Sequence, residues 1–165
     1  MKKLMILCAT LLFSAMWGKA ASGDVAENAP RFELSGATYS LVNSGSSDML
    51  GEVTFGYRIT DLLSVSANGL MSNLRGDPGS TWAGTVDLAV RPEVVSGLYL
   101  SPSVGLGVAG GKLGAERYEA RMVVAAGVAL RYDLTRYLFC GMEAKVIATT
   151  GVGLPLAGIR IGFRF

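Results

Sequence analysis

From residue 31 onward, apolar and polar positions alternate with a period of two. That is the spacing of a β-strand, whose successive side chains point to opposite faces. Between Met49 and Ile59 the odd positions are Met49, Gly51, Val53, Phe55, Tyr57 and Ile59, while the even ones carry Glu52 and Arg58. The last stretch repeats the pattern, with Ala157, Ile159, Ile161, Phe163 and Phe165 alternating with Gly158, Arg160, Gly162 and Arg164. Segments of this kind predict eight strands, near 31–42, 49–59, 63–72, 81–91, 98–109, 117–132, 136–148 and 154–165. Turn-forming residues separate them: 43–48, Thr60-Asp61-Leu62, Gly76-Asp77-Pro78-Gly79, Ser96-Gly97, Gly110-Gly111 and Asp133-Leu134-Thr135. A helix competes best over Ala115–Leu130, but the even positions Tyr118 to Leu130 are unbroken apolar, which favours a strand.

The charges sharpen this pattern. Within the predicted strands they are Arg31, Glu33, Glu52, Arg58, Asp87, Arg91, Arg117, Glu119, Arg121, Arg131, Glu143, Lys145, Arg160 and Arg164. All of them fall on the parity opposite the apolar face; Arg136, the first residue of its segment, is the one in-strand charge on the other parity. A soluble sheet also segregates its faces. A face free of charge on every strand is instead what lipid demands, since Arg or Lys at a bilayer midplane costs ~2–4 kcal/mol. The expected fold is therefore all-β: a closed eight-stranded antiparallel up-and-down transmembrane β-barrel. Closure is required, because an open sheet edge has no hydrogen-bond partner in lipid.

Composition agrees. Half the residues are hydrophobic, only 17% are charged, and the mean hydropathy is +0.40. Soluble domains carry ~25% charged residues and disordered chains more, so both classes fit poorly. No apolar run approaches the ~20 residues of a membrane helix. The longest, Leu4–Trp17, follows Lys2 and Lys3 and precedes Gly18-Lys19-Ala20, as in a secretory signal peptide. The expected organisation is a removed signal peptide at 1–20, a flexible periplasmic leader at 21–30 and the barrel at 31–165. Cleavage would take Lys2, Lys3 and Lys19, so 15 basic residues against 13 acidic become 12 against 13. That removes any basic surplus for nucleic acid. Cys140 would remain as a lone thiol, facing lipid by its parity, and histidine is absent.

Aromatic positions add height to facing. Outward Phe32, Tyr57, Tyr132, Phe163 and Phe165 should ring one rim, with Trp82 and Tyr118 at the other, like the aromatic girdles of membrane barrels. Ile159-x-Ile161-x-Phe163-x-Phe165, ending in phenylalanine, resembles the assembly signal of bacterial outer-membrane proteins. With eight strands and a signal peptide, the chain resembles the small outer-membrane β-barrel family of the OmpA-transmembrane and OmpX type. The resemblance covers essentially the whole mature chain, and the final strand is its most specific motif. It implies Sec-type export to the outer membrane, escort by periplasmic chaperones and delivery to the barrel-assembly machinery. It also implies contact with outer-membrane lipids and lipopolysaccharide, and a monomer.

Candidate chemistry is sparse. Gly105-Leu106-Gly107-Val108-Ala109-Gly110 matches a dinucleotide-binding pattern, but strand alternation continues on both sides, so relief of crowding in a narrow lumen is the better reading. Some barrels of this family modify lipopolysaccharide acyl chains with a serine and a histidine. A serine nucleophile needs such a base, and here only Lys145 faces inward as a substitute. Asp77, Glu116 and Glu119 lie in or near loops but lack a calcium-loop spacing. No cofactor or metal is expected. The inward charges Glu52, Arg58, Asp87, Arg91, Arg121, Arg131, Glu143, Lys145, Arg160 and Arg164 should form a paired plug, with Glu143 and Arg160 brought to one level by the last hairpin. Pro102 sits mid-strand, where it cannot donate to a ladder, and marks a candidate lateral seam.

The expected function is thus a structural or interaction role without catalysis. The external loops, about five to eight residues long by these boundaries, speak against adhesion, and nothing after the last strand suggests wall anchoring. The alternatives are a narrow transport or lipid-access barrel and a soluble exported barrel.

Overall fold

A computed structural model describes residues 31–42, 49–73, 80–113, 116–149 and 152–165. The expected signal peptide and leader lie outside them, as do the predicted turns at 43–48 and 76–79. All regular structure among the described residues is β: β1 (Phe32–Leu41), β2 (Met49–Arg58), β3 (Leu63–Asn73), β4 (Ser80–Val90), β5 (Glu93–Val95), β6 (Leu98–Leu113), β7 (Glu116–Asp133), β8 (Leu138–Thr149) and β9 (Val152–Arg164). Neighbours pair antiparallel in the order β4-β3-β2-β1-β9-β8-β7-β6, and pairing of β4 with β6 closes the cylinder. At the seam, Phe32 and Phe165 exchange backbone hydrogen bonds of 3.0 and 3.1 Å. The end of the barrel that carries this seam pair is called the terminal end below, and the opposite end the far end.

Eight staves result, because β5 continues β4. The β4–β6 ladder ends at Ala89↔Ser103 and the β5–β6 ladder resumes at Glu93↔Tyr99 in the same register. Two prolines cause the gap. Leu100 N donates to Pro92 O at 3.1 Å, so the next hydrogen-bonding pair is Val90 with Pro102. Each pair lacks one N–H, since a proline occupies one side of each.

Two boundaries differ from those read in the sequence. Gly110-Gly111 is no turn. It forms a bulge in β6, where Gly111 adopts a φ of +123° and the strand runs on to Leu113. β7 likewise starts at Glu116, yet its ladder with β8 begins only at Val124↔Ala148. Among the described residues the stretch 116–123 is therefore paired only through β6, and the β6–β7 hairpin projects beyond the far rim. The bulge permits this by re-aiming the ladder at the point where β4 stops accompanying β6.

At the terminal end the turns are tight and chemically alike. Thr60 Oγ1 accepts from Leu62 N and Leu63 N, and Thr135 Oγ1 accepts from Tyr137 N and Leu138 N. At the third turn, Gly97 takes a φ of +78° and donates its N–H to Glu93.

Facing follows the parity in the sequence. Leu34, Val53, Phe55, Met71, Val86, Leu106, Met142, Ile159 and Ile161 point outward and are exposed. A water-soluble surface avoids so large an apolar area. Inward, the far half of the lumen is apolar: Leu50, Leu70, Val123, Ile147 and Leu156 pack with Ala37, Ala83 and Ala125. The remaining lumen is polar and charged.

Candidate functional site

Below the apolar far half lies a first ion cluster. Tyr39 is 1% exposed, and its hydroxyl donates to Glu143 Oε2 at 2.9 Å while standing 3.1 Å from Glu52 Oε1. Arg160 Nη2 reaches Glu52 Oε1 and Glu143 Oε2, both at 2.6 Å, and donates to the Tyr39 hydroxyl at 3.1 Å. Lys145 pairs with Glu52 and lies over the Tyr39 ring, 4.6 Å from its centroid. Thr54 donates to Glu52 as well. Two carboxylates, one ammonium and one guanidinium thus satisfy one another around a phenol. The last hairpin, β8–β9, does bring Glu143 and Arg160 to one level, as the sequence suggests.

A second cluster occupies the terminal end. Glu33 takes Arg91 at 2.7 Å, Arg131 at 2.7 Å, Arg164 at 3.4 Å and Arg58 at 3.5 Å. Asp133 pairs with Arg164 and lies 3.6 Å from Arg131. Arg131 also covers the Phe139 ring at 3.2 Å, and Arg91 lies 5.8 Å from Tyr99. Three strands, β2, β7 and β9, and the β4–β5 break therefore converge on one carboxylate from β1.

Glycines make room for these groups. Gly158 stands opposite Tyr39, Gly162 opposite Phe139, Gly141 opposite both Arg131 and Arg160, Gly127 opposite Lys145 and Gly105 opposite Asp87. A Cβ at Gly105, Gly107, Gly158 or Gly162 would collide with backbone or with the side chain it faces. On the lipid side, Gly51 and Gly69 have nothing within 4 Å of such a Cβ. The lumen is filled by pairing each bulky residue with a missing side chain.

The predicted single network needs correcting at several points. Glu52, Glu143, Lys145 and Arg160 meet in the middle, whereas Arg58, Arg91, Arg131 and Arg164 form the separate terminal cluster. Asp87 belongs to neither set of ion pairs. Arg121 is exposed and outside both clusters, because it sits on the projecting hairpin, above the level where β8 encloses the lumen. Glu119 is exposed for the same reason. Side chains of Arg117, Glu116 and Asp77 are outside the described residues. Glu33, Asp133, Tyr39 and Phe139 were not singled out as network members. Each has charged-face parity in its strand, the signal that could have found them.

For the rims, Phe32, Tyr132, Phe163 and Phe165 are exposed at the terminal end, where Phe32 stacks with Phe55 and Phe165 at 5.9 and 6.1 Å and meets the Tyr57 ring at a tilt, 5.1 Å away. Trp82 is exposed near the far end, opposite Gly110. Tyr118 has only its backbone described, paired with Gly111. Ile159 and Ile161 face outward on β9. Pro102 lies at the β4–β5 gap, and Cys140 is half-buried on the outward parity. The glycine-rich stretch Gly105–Gly110 is interior strand, without the helix a dinucleotide pyrophosphate needs.

An apolar outer belt, a filled charged lumen and a closed antiparallel ladder define an eight-stranded β-barrel of the transmembrane kind. The chain matches no protein-family model and no curated protein. Among solved structures it is similar to the N-terminal β-barrel domain of Pseudomonas aeruginosa OprF, with 17% identity, a TM-score of 0.62, and coverage of 87% of this chain and 100% of that one. It is also similar to the Yersinia pestis outer membrane protein Ail, with 12% identity, a TM-score of 0.56, and coverage of 82% and 99%. A third similar structure is the outer membrane enzyme PagL, with 11% identity, a TM-score of 0.57, and coverage of 79% and 97%. At these identities the likeness speaks for the fold.

Proposed function

We propose that this chain is an outer-membrane barrel with a structural or interaction role, without catalysis, whose lumen is closed by its ion clusters and its apolar far half. The observation that carries the reading is the contrast between faces: exposed apolar side chains outside, ion pairs and Tyr39 inside. The terminal end then faces the periplasm and the projecting β6–β7 hairpin faces outward. Outer-membrane lipids and lipopolysaccharide surround the belt. Periplasmic chaperones and the barrel-assembly machinery handle a monomer through Ile159, Ile161, Phe163 and Phe165. The interaction side of the role rests on the hairpin, whose β7 edge pairs with no other strand over 116–123 among the described residues and can accept a partner strand.

PagL is named an enzyme, which makes catalysis the competing idea. Against it stands the sequence, which holds no histidine to activate a serine. Incubation with acyl-labelled lipopolysaccharide should release no label, and release would refute the non-catalytic reading. Outer-membrane fractionation with heat-modifiable gel mobility tests the location. A chain recovered soluble from the periplasm, with unchanged mobility on heating, would overturn it. In planar bilayers the purified barrel should show no steady conductance. Conductance would establish the narrow-transport alternative instead.

A further inference from the structure

Between the two clusters lies a cavity of about 80 Å³. At roughly 10–15 Å³ per water-sized occupant, it holds several. Arg91, Arg131 and Arg160 line it, with Ser101 and the carboxylates Glu33 and Glu143. Ser101 stands on the rung of Arg91, since the β4–β6 and β5–β6 ladders keep one register on either side of them. That rung falls between the half-made rungs of Pro102 and Pro92, so it is of the non-hydrogen-bonded kind, in which facing side chains come closest. Arg91 is 4% exposed, and the Ser101 Oγ is buried without a hydrogen-bond partner among the described protein groups.

This region is short of acceptors. The Nε–H groups of Arg58, Arg91, Arg131, Arg160 and Arg164 are all buried, and none has a hydrogen-bond acceptor among the described protein groups. Against these five donors, one buried carboxylate oxygen of the described residues, Asp87 Oδ1, is left without a partner. It lies four residues from Arg91 along the same stave, roughly 13 Å at ~3.3 Å per residue, too far to serve the Ser101 level. The carboxylates in the wall are already engaged. Glu33 gives Oε1 to Arg91 and Oε2 to Arg131, both at 2.7 Å, while Glu143 takes Tyr39 and Arg160. Arg91 holds Glu33 through Nη1, on the guanidinium edge away from its Nε–H. Arg131 holds it end-on through Nη1 and Nη2. Both Nε–H groups are therefore turned off Glu33.

Charge points the same way. Glu33 and Asp133 face Arg58, Arg91, Arg131 and Arg164, a positive surplus within the lumen. Buried charge persists only when it is matched. Water accepts from an N–H but brings two protons that need acceptors in turn, whereas an anion accepts and brings none. We propose that a small inorganic anion of chloride size binds in this cavity, held by the Nε–H groups of Arg91 and Arg131 and by the Ser101 hydroxyl. The volume admits a monatomic ion with retained water and excludes a bulky organic anion.

The site does not depend on where the barrel resides, so purified, folded protein serves for the test. Thermal unfolding is followed by gel mobility while sodium chloride replaces sodium gluconate at constant ionic strength. A ligand that binds only the folded state raises the midpoint in a saturable way. The midpoint should rise by several degrees and level off. Ser101→Ala should raise the half-saturating chloride concentration about tenfold, through loss of one hydrogen bond to a charged group. Ser66→Ala, in the same cavity but on the Asp87 rung, should leave it unchanged. Crystals grown in sodium bromide should show an anomalous peak between Arg91 and Ser101. An unchanged midpoint means that water fills the cavity, and the proposal fails. It fails too if the response stays linear in chloride, as a general salt effect does, if Ser101→Ala keeps the original half-saturation, or if Ser66→Ala weakens it as much. Should Ser101→Ala not fold, the bromide position decides: a peak elsewhere, or none, overturns the site.

Discussion

The middle and terminal ion clusters solve one problem in two ways. In the middle, Glu52 and Glu143 face Lys145 and Arg160 around Tyr39, so paired charges match within hydrogen-bond distance. At the terminal end, Glu33 and Asp133 face Arg58, Arg91, Arg131 and Arg164, two acids against four bases. The middle cluster is enclosed between the apolar far half and the cavity, where unmatched charge is costly. The terminal cluster borders the rim, where the turn acids Asp61 and Glu93 are exposed, although Arg91, Arg131 and Arg164 are themselves buried. Position along the barrel axis thus sets how strictly charge must balance. Glu33 is the exception on its own level, since one carboxylate serves four guanidiniums.

The comparison breaks most readily at Glu33. Glu33→Gln should leave the arginines facing one another with Asp133 alone, and destabilise the barrel by about 3–5 kcal/mol, the cost of removing one partner from a buried pair. Urea unfolding in vesicles should show this as the lowest midpoint of the set. A smaller effect than for Glu52→Gln would show that the terminal end is solvated well enough to lose its hub.

In the middle, removing both partners should cost less than removing one. Glu52→Gln alone should cost about 3 kcal/mol, while Glu52→Gln with Lys145→Met should recover much of it. A double variant as unstable as the sum of its singles would deny the coupling. That cycle also separates the two clusters, because Glu52→Gln with Arg164→Met should simply add.

Packing gives the next step down. Gly158→Ala should cost about 1–3 kcal/mol, because Tyr39 and the β1 backbone already fill the space. Gly51→Ala on the lipid face should change stability by less than about 0.5 kcal/mol. Equal costs would contradict the filled lumen.

Deleting Phe165 should have only a small equilibrium effect, about 1 kcal/mol, through its backbone bonds with Phe32 and their ring contact. It should act more strongly on the rate of assembly, measured as the time to reach the heat-modifiable form in cells. Normal kinetics would remove the terminal phenylalanine from the proposed recognition signal.

Facing was legible in the sequence because side-chain direction in a strand depends only on parity. Glu143 and Arg160 could be paired from one hairpin for the same reason. Levels that depend on stagger around the whole barrel were not legible. Arg121 has lumen parity, yet β8 ends below it, and no local pattern announces where a neighbour stops. Glu33 also has lumen parity. Its role as a hub exists only once β1 closes against β9 and brings it beside Arg164. The break at Pro92 depends on Pro102 lying on the next rung, a register that no pattern within either strand encodes. The apolar far half was hidden for a different reason. Leu50, Leu70 and Leu156 sit on the charged parity, where an alternation reading looks for polar residues.

Those two prolines give the cylinder a preferred place to breathe. Elsewhere within the ladders, apart from the Val42–Pro155 rung near the end of the β1–β9 pairing, rungs have donors on both strands, so opening one must work against its neighbours. At Val90–Pro102 and Pro92–Leu100 the rungs are half-made on opposite strands. Fluctuations that admit solvent to the backbone should begin there. In hydrogen exchange the amides of Val90 and Leu100 should lose protection well before those of Val104 and Val86, one and two rungs away from Val90–Pro102 on the same pair of staves.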